Sequence, residues 1–153
     1  MIEIICLGKI KEKYFLDAID EYKKRLSKYN SIKIIEILDE PDIKDENKSL
    51  NLEEAKIMPY AKQKGYNIGL FIDGKSYSSL EFAKVLKDIF TYKNSKIKFF
   101  IGSSRGLTSN IKKNMDLCLS FSKFTFPHKL MRVILLEQIY RAYKIINNET
   151  YHK

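Results

Sequence analysis

The chain has 153 residues, 28 lysines and arginines against 19 acidic residues, and a formal charge of +9. That length suits one domain with a core of its own, and 44% hydrophobic residues exclude disorder of the whole chain. No apolar run exceeds four residues, which excludes a membrane-spanning helix; Met1 to Ile5 lacks a basic stretch or cleavage site, so a cytoplasmic protein without a signal peptide is expected.

Ile2, Ile4 and Ile5 open a strand that ends at Gly8. Phe15, Ile19, Tyr22 and Leu26 follow at helical spacing, predicting a helix from Lys13 to Tyr29. Ile32 to Ile37 is a second strand, and acidic Asp39 to Lys48 a surface loop. A helix starts near Ser49 or Asn51, and Pro59 predicts a kink or break near Met58. Ile68 to Ile72 is a third strand, closed by Asp73-Gly74. Ser78-x-x-Glu81 has capping-box spacing ahead of Phe82, Val85, Leu86 and Ile89. Ile97 to Ile101 is a fourth strand running into Gly102-Ser103-Ser104-Arg105-Gly106. Thr108 caps a short helix around Ile111 to Met115, and Leu117 to Phe121 is a fifth strand. After Pro127, Leu130 to Ile146 is apolar almost all round, as in a core helix or a subunit interface. The interface is favoured, because a small domain seldom surrounds its last helix. Strands alternating with helices predict an α/β fold, a mainly parallel sheet with helices on both faces.

Cys6 and Cys118 make no metal-spaced pair and read as buried free thiols; with only two histidines, no metal site is expected. Charge is uneven: residues 31–60 carry −4 and residues 101–153 carry +6. The basic excess suits nucleic acid, although lysine-rich composition alone could produce it.

Open parallel sheets bind ligands beyond the carboxyl ends of their strands. Three such ends stand out: Leu70 to Gly74, Gly102 to Gly106 and Phe121 to His128. Gly102 to Gly106 is either a plain tight turn or a ligand turn; it is neither a dinucleotide fingerprint nor a P-loop. His128, half-way between structural residue and proton acceptor by type, is followed by Arg132, which suits a phosphate or a salt bridge. Glu137 and Arg141 are spaced i, i+4 within the apolar helix. The end Tyr151-His152-Lys153 is a frayed terminus or a group for RNA binding and proton transfer.

These residues carry a resemblance. Leu7-Gly8-Lys9-Ile10-Lys11, Phe100-Ile101-Gly102-x-x-x-Gly106-Leu107, the run Leu119 to His128, Met131-Arg132-Val133, Glu137-Gln138-x-Tyr140-Arg141-Ala142 and Tyr151-His152-Lys153 resemble the small single-domain SPOUT methyltransferases that modify N3 of a pseudouridine in 23S ribosomal RNA. The resemblance spans residues 1–153 and is strongest from Phe99 onward. It implies a C-terminal trefoil knot, S-adenosylmethionine as methyl donor, no metal, and a homodimer acting on the large subunit or the assembled ribosome. Carried across, the donor site is Leu70, Gly102 and the run Phe121, Ser122, Lys123, Phe124, Thr125 and Phe126. Tyr151 and His152 would act in the partner's site, with Arg132 and Arg141 orienting RNA or tail, and His128 or His152 as base. One position departs: the family pattern has Gly-Gly where this chain has Gly102-Ser103. If that position needs a positive φ, Ser103 costs roughly 1–2 kcal/mol; if it only needs room, the hydroxyl can add a hydrogen bond. The rival readings are a nucleotide-binding α/β protein and a non-catalytic rRNA-binding factor.

Overall fold

Side chains alternate across a strand, so Ile2, Ile4 and Cys6 face one way and Ile5 and Leu7 the other, and all of them are buried. Such two-faced burial requires helices on both sides of the sheet. The computed structural model, which describes residues 1–41 and 45–153, has that arrangement. The elements run β1 (Ile2–Leu7), α1 (Lys13–Leu26), β2 (Ile32–Ile37), α2 (Glu46–Lys62), β3 (Tyr66–Ser76), α3 (Ser79–Asp88), β4 (Ile97–Ile101), α4 (Ser109–Lys112), β5 (Leu117–Ser120) and α5 (His128–Ile146). Among the described residues the strands form one parallel sheet in the order β2-β1-β4-β3-β5. One core joins Ile2, Ile4, Phe99 and Ile101 to α1, α3 and α5; a second joins Ile5, Leu7 and Phe100 to α2 and α4.

Local signals place most boundaries. Ser78 and Glu81 close the capping box of α3, Glu81 Oε2 accepting from the Ser78 amide at 2.7 Å. Thr108 Oγ1 accepts from the Ile111 amide at 3.2 Å, but α4 ends at Lys112 rather than Met115. Helix α1 ends three residues before the predicted Tyr29, whose amide turns back to Leu26 O. Helix α2 begins at Glu46, ahead of the predicted Ser49, because Asp45 caps it by accepting from the Lys48 amide at 3.2 Å. Within the predicted loop from Asp39 to Lys48, Asp42, Ile43 and Lys44 lie outside the described residues.

Three expectations are corrected. Of the kink or break expected at Pro59, the break does not occur: α2 continues to Lys62. The end of that helix is held by Lys98, whose buried ammonium donates to Gln63 O at 2.5 Å and to Tyr60 O at 2.7 Å, a carbonyl that also accepts from the Gln63 amide at 3.3 Å. Asp73-Gly74 does not end the third strand. β3 bulges after Leu70 and pairs with β5 again at Lys75 and Ser76, and Gly74, lacking a side chain, lies directly against the β5 backbone. Cys6 is buried, its thiol pushed up to about 12 by desolvation, whereas Cys118 is only half-buried. No helix among the described residues is long and apolar enough to cross a membrane.

Candidate functional site

The carboxyl end of β4 passes straight into the Gly102–Gly106 turn. Gly106 has φ 78° and its amide donates to Ser103 O at 2.9 Å, closing the turn; a β-carbon on Gly102 would run into the Gly106 backbone. Ser103 is not in the left-handed region, since Asn148 is the one non-glycine residue there among those described. It therefore carries no strain. Its hydroxyl donates to Glu53 Oε2 at 2.8 Å, and Arg105 Nη2 donates to Glu53 Oε1 at 2.8 Å and Glu40 O at 2.7 Å. Glu53 is buried, so this carboxylate ties α2 to the turn from below. Glu53 was not marked as a site residue, because its side-chain partners Ser103 and Arg105 stand about fifty residues further along the chain.

The end of β5 is shaped by serines. Ser120 Oγ lies 2.9 Å from Ile72 O and 3.1 Å from Ser122 O, and the Phe124 amide donates to Ser122 Oγ at 3.0 Å. Beside it opens a cavity of about 390 Å³ between α3, β5 and α5. Phe82, Leu119, Phe121, Phe126 and Ile134 supply apolar walls; Ser78, Ser79, Ser120 and Gln138 supply polar groups. The volume and this mixture suit a small ligand with a flat ring and hydroxyls, as an adenosine has. Of the carried-over donor residues, Phe121 and Phe126 line the cavity. Leu70 borders it by pairing with Leu119, Gly102 lies outside the lining, and Lys123, Phe124 and Thr125 are exposed. Gln138, which accepts from Ser79 Oγ at 2.8 Å, was missed as a site residue. Its amide within an apolar helix was the available signal.

His128 and Arg132 come together at the end of β1. The position a β-carbon on Gly8 would take lies 3.2 Å from His128 Nε2 and 3.5 Å from Asp39 Oδ2. Burial, and then the Arg132 charge, hold the His128 imidazole below its usual pKa, so it is neutral at pH 7. Arg132 is fully buried: it donates to Glu36 Oε1 at 2.7 Å, Leu7 O at 3.0 Å and Gly8 O at 2.6 Å.

Arg141, Tyr151 and His152 come together at the other end of α5. Arg141 donates to Glu137 Oε1 at 3.0 Å through Nε, lies 4.7 Å from the Tyr151 ring centroid, and places Nη1 3.3 Å from His152 Nδ1. A guanidinium only donates, so His152 Nδ1 accepts there. Tyr151 packs edge-on against Tyr140 at 4.9 Å, and its hydroxyl donates to Glu137 Oε1 at 3.3 Å. Desolvation, and then Tyr22, push its phenol up to about 12, so it keeps its proton and acts as a donor. Arg141 lies thirteen helical positions after His128, about 20 Å along the axis. One chain therefore holds two separate groups of predicted residues.

Residues 1–152 match a family described as Predicted SPOUT methyltransferase. Ribosomal RNA large subunit methyltransferase H of Clostridioides difficile (strain 630) is 49% identical, and that of Lactobacillus acidophilus 46%, each over 99% of both sequences. Among solved structures, a probable methylase family protein from Haemophilus influenzae Rd KW20 superposes with a TM-score of 0.58 at 16% identity, covering 99% of this chain and 70% of that one. That likeness concerns the fold alone.

Proposed function

The chain belongs to the SPOUT methyltransferase family, whose fold is knotted, and from that premise we propose that it methylates N3 of a pseudouridine in large-subunit ribosomal RNA, on the assembled ribosome, as a homodimer. The observation that carries the reading is the full-length similarity to ribosomal RNA large subunit methyltransferases H, in a chain whose β5 end opens on a cavity of adenosine size. The basic C-terminal segment, +6 over residues 101–153, suits an RNA substrate.

When bound, S-adenosylmethionine supplies an electrophilic methyl group on sulfur. Phe121, Phe126 and Leu119 would hold its flat ring, with Ser120 and the backbone of Ser122, Lys123, Phe124 and Thr125 around its polar edge. Leu70 and Gly102 border the same strand ends, and Glu53 keeps the Gly102 turn rigid. Pseudouridine N3 carries a proton that must leave as the new N–C bond forms. His128, neutral at pH 7 and at the start of α5, takes that proton. Tyr151 and His152 complete the partner's site across the dimer, Tyr151 held by Glu137 and His152 by Arg141 so that His152 Nε2 donates to the bound nucleotide. Every residue of α5 is buried or half-buried in the single chain, and its half-buried Val133, Ile134 and Ile146 offer the apolar contact such a dimer needs.

The test is transfer of a tritiated methyl group to ribosomes lacking the mark, followed by mapping of the labelled nucleotide. Label on N3 of a pseudouridine is expected. No transfer, or label on another base, overturns the reading; ribosome binding without donor binding would make the chain a non-catalytic factor.

A further inference from the structure

Two exposed aromatic rings flank the same end of the molecule. Tyr14, in the first turn of α1, is 68% exposed, and Phe124, in the segment before α5, is 78% exposed. Large apolar side chains left in water and rimmed by polar groups mark a contact surface. Tyr14 is propped by Phe15, ring centroids 4.5 Å apart, and Phe15 packs against the core. Three ties hold the start of α5, which follows Phe124, against residues 8–12, which precede Tyr14. Lys129 Nζ bonds Glu12 Oε1 at 2.6 Å, Arg132 Nη2 bonds Gly8 O at 2.6 Å, and His128 lies beside Gly8.

The surrounding charge is mainly positive, with the exposed Asp39 carboxylate beside Gly8 as the exception. Lys9, Lys11 and Lys123 are exposed and make no ion pair with the described residues, whereas the nearby Glu12 and Asp17 are already paired with Lys129 and Lys13. We propose that Lys9 to Tyr14 and Lys123 to Phe124 form one RNA-stacking surface, on which Tyr14 and Phe124 stack unpaired bases beside the target nucleotide while Lys9, Lys11 and Lys123 bind phosphates. This rests on the RNA substrate proposed above.

The chemistry favours a single-stranded polyanion. Aromatic rings accept any base face, and ammonium groups between them follow the backbone. A second copy of the chain fits worse, because a two-fold interface would set this patch against itself, three free lysines against three. The equally exposed Tyr92 provides contrast: at 81% exposure it stands in the π-helical turn Ile89–Lys93 that leads into the amino end of β4, away from the strand ends that carry the site.

The experiment is anisotropy titration of a short fluorescein-labelled single-stranded RNA over a range of KCl, without methyl donor, on the full chain. Tyr14→Ala should weaken binding about ten-fold with no change in the salt slope. The pair Lys9→Gln and Lys11→Gln should lower the slope of log K against log salt by about 1.4. Tyr92→Ala should bind as the parent does. The surface is overturned if the parent fails to bind, if the Tyr14 and lysine variants bind as the parent does, or if Tyr14→Ala changes the sedimentation coefficient, which would make the patch a self-interface. Binding is read without methylation, so a label on the wrong base overturns the pseudouridine reading while leaving this result standing.

Discussion

Helix α5 carries an arginine near each end, and the two do opposite things. Arg132 is sealed beneath the end of β1, where it takes Leu7 O, Gly8 O and the Glu36 carboxylate at once. Gly8, with φ 88°, turns the chain out of the sheet there, and the guanidinium fork supplies the donors those carbonyls would otherwise lack. Arg141 sits in a part-exposed nest of Glu137, Tyr151 and His152, all within twelve residues of it. The first arginine joins distant segments; the second holds a tail. Burial, rather than residue type, separates a structural bolt from a group free to serve a substrate.

Breaking each end should therefore read out differently. Deleting Tyr151 to Lys153 should have the largest effect, a loss of methyl transfer of about 10²–10⁴-fold, with the chain still folded and the dimer intact. Full activity in that truncation would sink the assignment of the tail. Arg132→Ala should cost about 3–5 kcal/mol of stability, measured by urea unfolding, because Glu36 and two carbonyls lose a buried charged partner. Arg132→Lys should restore only part of it, a single ammonium being unable to fork. Arg141→Ala should change stability by less than about 1 kcal/mol, as expected of part-exposed pairs, yet slow turnover about ten-fold.

The smallest effect is a pH dependence at the His128 end. The folded imidazole titrates below its usual value, so between the two values the unfolded chain binds more protons and stability falls with acidification. The urea midpoint should drop from about pH 7 to about pH 5, and His128→Gln should flatten that drop. Glu12, held at about 2 by Lys129, loses its contribution only at lower pH and does not blur the window.

Much of the fold was legible because its signals are local. The capping residues Ser78 and Thr108, and the alternation of Ile2 to Leu7, act within a few residues and placed their elements without tertiary help. Errors arose where a distant partner overrode the local rule. Pro59 reads as a helix breaker, but α2 runs on through it to Lys62, where Lys98 from β4 takes the Tyr60 and Gln63 carbonyls at the helix end. Asp73-Gly74 reads as a turn, but the β5 backbone gives Gly74 a reason to stay in a strand. The open question at Ser103 turned on a φ value and on Glu53, neither of which spacing reveals.

By itself the sequence determined the α/β class, both helix faces of the sheet, the strand ends worth inspecting and, by resemblance, the family. Tertiary structure alone decided which polar residues are buried: Glu53 under the glycine turn, Arg132 under β1 and Lys98 behind α2. The reason is physical. Secondary structure follows backbone and near-neighbour energetics that repeat every two or four residues, whereas a buried charge survives only where the fold delivers its partners from elsewhere in the chain.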